Sequence, residues 1–291
     1  MAAGPTYIPL GMSTALQVLD AVPGTLGDWY WPRRDSLLDI SEPWQSLVSF
    51  RPATSVQSAF LSGRVRDEFY FQKIEDGASP GMNADNYSVL IERFPFGYST
   101  PEQFFELFRI HFFELNTHGI ADVKPYDDDV DGPRWNSTDP TQVVGTILSW
   151  AGPVNAITRR LFADQASVLV SDATPTSLTV TTVHTKKDAG HPASGQRRWA
   201  IAERENGWLW TNVGVDRATD NLPRRLTARE FQLARDSVWA PLQTSVVNFV
   251  NERNGKARIT AQFRTTLEWQ TIQREWFKPS VEWMPDSGSP N

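Results

Sequence analysis

The dipeptide Asn206-Gly207, set between two β-rich runs, constrains this 291-residue chain more than any other feature. It joins Gln196–Glu205 to Trp208–Val215, and a third β-rich run, Leu178–Thr185, precedes them. Asn-Gly in that setting predicts a two-residue hairpin loop, because a type I′ turn needs φ > 0 at both central positions and these residue types tolerate it. The predicted register sets Glu205 against Trp208, Ala202 against Thr211, Trp199 against Gly214 and Arg197 against Asp216. Alternation then sorts the side chains. One face receives Arg198, Ala200, Ala202, Arg204, Leu209, Thr211, Val213 and Val215. The other receives Arg197, Trp199, Ile201, Glu203, Trp210, Asn212, Gly214 and Asp216. Neither face is plainly polar, so something beyond one helix layer is expected to cover the second side: the terminal segments, a partner subunit or a ligand.

Charge and composition remove several function classes. A net charge of −6 and a pI near 5.3, with no basic stripe, argue against nucleic acid, whose binding depends on Lys and Arg at phosphates. With no cysteine the chain has no disulfide, thiolate metal site or cysteine nucleophile. No run approaches the roughly 18 apolar residues of a membrane span, and the first residues lack a secretory pattern, so a soluble, cytoplasmic protein is expected. No cofactor motif is present, and metal ligation is not expected.

Residues 1–85 read as an irregular, aromatic-rich extension with a short helix at 13–19 and a break at Asp76–Gly81. Residues 86–256 read as the α+β domain. Within it Tyr87–Phe94 is a predicted strand, followed by a helix capped by Thr100, with Pro101 at its first position and Gln103 completing a capping box. Phe104, Leu107, Phe108, His111, Phe112 and Leu115 form its apolar stripe. Strands are expected over 143–150 and 166–170. Thr227 and Glu230 predict a helix to Arg235, Pro241 a second helical start, and Asn254-Gly255 the stop. Residues 257–291 read as a Trp-rich helix and tail, with Trp269 and Trp276 on one side.

The order strand, helix, antiparallel strands, long helix over about 87–255 resembles the START-like (SRPBCC) helix-grip superfamily. The segment Gly190–Ile201, with Gly214-Val-Asp-Arg217 downstream, looks like an element of uncharacterised bacterial proteins of that type. The resemblance implies an α+β fold, a curved antiparallel sheet packed around a long C-terminal helix, with an apolar cavity between them for a small hydrophobic ligand. It transfers no catalytic residue.

Phe108, His111, Trp199, Trp210, Asn212 and Trp239 are the candidate ligand-binding residues: they form either ordinary core or a cavity wall with Asn212 as its polar contact. His111 sits on an apolar helix stripe, where a core role competes with a catalytic one. His184 and His191 flank Thr185–Gly190, which holds Asp188, with Ser194 close behind, but triads are assembled from distant segments, and this cluster reads as a turn. Asp127, Asp129, Asp131 and Gly132 spell the first half of a calcium loop; Thr138 stands where the bidentate Glu belongs, so a solvated acidic turn is expected. Arg197 opposite Asp216 reads as a cross-strand ion pair or a carboxylate clamp. Three functions follow: binding of a hydrophobic or amphipathic small molecule, a cyclase, dehydratase or hydrolase on the same scaffold, or an interaction or effector protein whose Trp-rich termini engage another chain, including a second copy of this one, or a membrane surface.

Overall fold

The computed structural model describes residues 16–17, 42–62, 68–116, 122–151, 166–187, 191–219 and 228–276. Their centre is one antiparallel sheet. Its strands are β1 (Leu16–Gln17), β2 (Tyr70–Phe71), β3 (Gly81–Arg93), β4 (Asp122–Pro125), β5 (Ile147–Ala151), β6 (Ala166–Thr174), β7 (Ser177–His184), β8 (Ala193–Arg204), β9 (Gly207–Ala218) and β10 (Lys256–Glu268). They lie in the order β1-β10-β3-β9-β8-β7-β6-β5-β4, with β2 pairing the end of β7. The fold class is α+β: a large, curved, open antiparallel sheet with a long helix, Ala228–Glu252, near the C-terminus.

Among the described residues six short α-helices precede β5 and a seventh comes last. They are α1 (Glu42–Ser49), α2 (Thr54–Leu61), α3 (Pro101–Ile110), α4 (Phe112–Asn116), α5 (Asp131–Trp135) and α6 (Pro140–Val143); α7 is the long helix and α8 is Trp269–Glu275. Thr100 caps α3 by accepting from the Gln103 backbone N–H at 3.3 Å, while Gln103 Oε1 reaches back one residue further, to Ser99 N–H at 3.0 Å. The expected single helix is broken at His111, which adopts a turn between α3 and α4.

The hairpin forms, but its register differs by two residues from the predicted one. Arg204 pairs Gly207, Ala202 pairs Leu209, Trp199 pairs Asn212 and Arg197 pairs Gly214. The bend centres on Glu205 and Asn206, neither of which has positive φ; Gly207 does, at 136°. A turn of ordinary hand followed by a glycine that absorbs the left-handed twist is the next commonest hairpin solution after type I′. Because the slip is an even number, every side chain keeps its expected face.

Both faces are covered by packed layers. The inner face, with Tyr87, Val89, Ile91, Leu178, Val180, Trp199, Ile201 and Trp210, packs against α3, α4 and α7 through Phe104, Phe108, Phe112, Leu242, Val246 and Phe249. On the outer face Met82, Ala84, Val213, Val215 and Leu267 pack against Trp44, Leu47 and Val48 of α1 and Trp269 and Ile272 of α8, with Trp276 just beyond. The terminal segments thus cover the second side.

Three expectations need correction. The N-terminal extension contains α1 and α2, and Leu16–Gln17, expected within a helix, pair as a strand with Leu267 and Thr266; the remainder of that expected helix, Trp29-Tyr30-Trp31 and Trp283 lie outside the described residues. Residues 256–268, expected from 257 on as helix and tail, form β10 along the whole of β3, and the helix begins only at Trp269. Pro241 lies inside α7 and does not start a new helix. Its lost N–H and ring clash are local costs, set against burial of Trp239, Leu242, Val246 and Val250 on both sides of it.

Candidate functional site

The inner face changes chemistry along its strands. Toward one end the directly opposed residues are apolar: Val89 with Trp210, and Trp210 with Ile201. Toward the other they are polar: Arg264 opposite Asp85, Thr266 opposite Asn83, and Asn83 opposite Asp216. The border is the row Gln262, Tyr87, Asn212 and Trp199 across β10, β3, β9 and β8.

Arg197 anchors that border. Its Nη2 donates to Asp85 Oδ2 at 2.8 Å, and the two side chains are 8% and 2% exposed. Its Nη1 donates to Asn212 Oδ1 at 2.6 Å, and its guanidinium lies 4.0 Å from the Trp239 ring centroid. The expected Arg197–Asp216 pair is absent; Asp216 instead accepts from Asn83 Nδ2 at 3.0 Å. The two-residue register slip sets Arg197 opposite Gly214, and that glycine is required by close approach: a Cβ there would stand 2.2 Å from Arg197 Nη2.

The structure brings together five of the six candidate residues. Phe108 meets Trp210 edge-on at 5.2 Å, and Trp199 meets Trp239 at 6.0 Å and Phe112 at 5.2 Å. Asn212 stands directly opposite Trp199. The sixth, His111, stays apart: its ring is one-third exposed, bonds Glu114 Oε2 at 2.7 Å and reaches only Phe249, at 5.7 Å. It follows the last turn of α3 and so leaves the apolar stripe. At the other five positions the side chains lie between the sheet and the helices, with rings meeting edge to face.

Those rings leave polar atoms buried and unsatisfied. Trp199 Nε1, Trp210 Nε1 and Asn212 Nδ2 are each inaccessible to solvent and have no hydrogen-bond partner among the described residues. Buried donors are nearly always paired, and an unpaired one costs about 1–3 kcal/mol.

The remaining candidates are structural. His184 stacks on Tyr70 at 4.5 Å; His191 Nδ1 accepts from Ala193 N–H; Ser194 is buried opposite Arg217; Asp188 lies outside the described residues. Asp127 Oδ1 accepts from Asp129 and Val130 N–H, and Asp131 Oδ1 accepts from Ile147 N–H, so these carboxylates fasten a turn to β5. Arg109 donates to the carbonyls of Trp135 and Ser137; burial lowers its pKa, with nearby Glu106 opposing.

Two recesses are bordered by described residues alone. One, of about 200 Å³, lies between α4 and α7 over Leu115 and Phe249. The other, of about 110 Å³, lies between α3 and the β6–β7 turn beside Arg109. Neither is bordered by Trp199, Trp210 or Asn212.

Sequence reasoning missed Asp85 and Arg264. Asp85 was placed just before the expected strand and domain boundary, yet Asn83, Asp85, Tyr87, Val89 and Ile91 alternate in one phase. Arg264 belongs to the strand read as helix and tail.

Neither a protein-family model nor a curated protein sequence matches the chain. Among solved structures, Ara h 8.0201 aligns at 10% identity and TM-score 0.34, over 58% of this chain and 99% of its own. The di-domain aromatase/cyclase StfQ of the steffimycin biosynthetic pathway aligns at 8% and 0.38, over 62% and 54%. A conserved protein from Geobacillus kaustophilus aligns at 9% and 0.34, over 60% and 99%. Likeness of this degree assigns neither a ligand nor a reaction to this chain.

Proposed function

We propose that this protein binds a hydrophobic or amphipathic small molecule between the inner face of the sheet and α7. The observation that carries the reading is the set of three buried, unpartnered donors, on Trp199 and Asn212 in the border row and on Trp210 just to its apolar side. A face with an apolar end and a polar end suits a molecule with the same division. A buried donor without a partner inside the protein calls for a water or a bound molecule, and three such donors gathered on one face favour a molecule able to meet them together.

The described tryptophans of the terminal segments, Trp44, Trp269 and Trp276, are buried in the outer core, which gives the ligand reading more support than the effector one. His111 and His184 stand away from the donors, paired with Glu114 and Tyr70.

The test uses the full chain. Native mass spectrometry is expected to show a co-purifying small molecule. Failing that, the neutral fluorophore N-phenyl-1-naphthylamine is expected to bind saturably, one per chain, and to quench tryptophan emission. Absence of both an adduct and saturable binding rejects the reading.

A further inference from the structure

Asn212 is the residue from which the chemistry of the ligand can be read. Its Oδ1 already accepts from Arg197 Nη1, so the amide orientation is set by its bonding and only the Nδ2 end is left over. That end is a donor. Trp199 and Trp210 each offer an indole N–H, which can only donate.

The three lie together. Trp199 is paired directly with Asn212, and Trp210 is two residues from Asn212 on the same strand and the same face. Opposed side chains in such a ladder start about 5 Å apart and the next ones along about 7 Å. One small molecule can therefore meet all three. Gln262 Oε1, two strands away across Tyr87, is an unpaired acceptor, but the three neighbouring valences on Trp199, Trp210 and Asn212 are all donors, so the group that meets them is an acceptor oxygen.

The same border disfavours a negative charge on that oxygen. Arg197 is committed to Asp85 and Asn212 and covered by the Trp239 ring, and a carboxylate brought beside it would also face Asp85 across a water-poor site.

We infer that the ligand is a neutral, largely apolar molecule carrying carbonyl oxygen, held by N–H donors from Trp199, Trp210 and Asn212. This rests on the ligand-binding reading above, and the test separates the two. Three probes of nearly equal shape are titrated into the full chain: 2-acetylnaphthalene, which has the carbonyl; 2-ethylnaphthalene, which lacks it; and 2-naphthoate, which bears the charge. The acetyl compound is expected to bind roughly tenfold more tightly than either of the others, the gain of about one well-made hydrogen bond. In the unmodified protein it is expected to shift the indole N–H resonances of Trp199 and Trp210, assigned from Trp→Phe variants, and the ethyl compound to leave them in place. Asn212→Asp keeps an acceptor for Arg197 while removing the donor, and is expected to reduce the acetyl preference.

Equal binding of the acetyl and ethyl probes, or unmoved indole resonances, overturns the inference and leaves the binding reading intact. Tightest binding of the naphthoate overturns it in favour of an anion site. Saturable binding by none of the three overturns the inference, and where no co-purifying adduct is found either, it overturns the binding reading as well.

Discussion

Between Arg197 and Asp85 the sheet buries two opposite charges that water scarcely reaches, and removing one is a different experiment from removing both. Truncating either partner leaves its mate uncompensated, which typically costs 3–5 kcal/mol, whereas replacing both by apolar residues of similar volume is often close to neutral. In urea unfolding, Asp85→Leu and Arg197→Met are each expected to lower stability by about 3 kcal/mol or more, and the double variant to recover most of the loss. Gly214→Ala should mimic the loss of Arg197, because the added methyl would occupy the position of its guanidinium. Asp139 supplies the corresponding exposed case. Its carboxylate accepts from the hydroxyl and backbone N–H of Thr141, and these bonds to the charged form hold its pKa below the ordinary aspartate value. A carboxyl depressed on folding adds stability above its unfolded pKa and loses that contribution as pH falls through the folded one. Carboxyl titration by NMR should therefore place its midpoint below that of a free aspartate, and Thr141→Val should move it upward. The residue chemistry of the site was only partly legible. Trp199, Trp210, Asn212 and their shared face follow from alternation alone, but Arg197 was given the wrong partner because the turn type fixes which residue it meets.

At the scale of elements, the join between α7 and the sheet depends on a side chain that repairs an irregularity. β10 has an irregular register against β3 between Ile259 and Ala261, where the ladder is interrupted. Gln243 of α7 donates to both Ser88 O and Ala261 O at 2.8 Å, and its own carbonyl accepts from Gln262 Nε2 at 2.7 Å. Gln243→Leu fills similar space but leaves Ala261 O without that donor and removes the acceptor for Gln262. A loss of about 1–3 kcal/mol is expected, with faster native-state amide exchange concentrated at residues 258–263 and α7. This join is not legible in the sequence, because the seven-residue spacing of Trp269 and Trp276 points to a helix across a segment whose first part is strand. The run Arg258–Leu267 carries Ile, Phe and three Thr, an ordinary β composition. Likewise Pro43, Trp44, Leu47 and Val48 have the leading proline and the three-to-four spacing of α1, inside a segment whose proline and glycine content suggested irregular chain. Local signals were strongest where one turn residue or cap decides the outcome, as at Thr100 and Asn254. Asn254 closes α7 with φ of 58°, and Gly255 N–H then bonds Val250 O at 2.9 Å.

For the whole molecule the consequence is that the sheet depends on cover from both ends of the chain, α1 before it and α8 after it. Met82, Ala84, Val213, Val215 and Leu267 would be open to water without Trp44, Leu47, Val48, Trp269, Ile272 and Trp276. The two layers are tied together, since Ser49 Oγ donates to Trp276 O at 3.1 Å and Arg217 lies 4.5 Å from the Trp269 ring centroid while binding Ile74 and Ser79 carbonyls. A chain ending at Glu268 keeps every strand and the entire inner core, yet loses three buried side chains worth about 1.5–3 kcal/mol each. That sum is comparable with the roughly 5–15 kcal/mol that holds a typical domain folded. The truncated protein is therefore expected to unfold at markedly lower temperature, or to associate through the uncovered face. Thermal unfolding and sedimentation of the two lengths check this. If the protein ending at Glu268 is monomeric and melts with the full chain, α8 contributes nothing to the fold, and the outer layer is free for a partner after all.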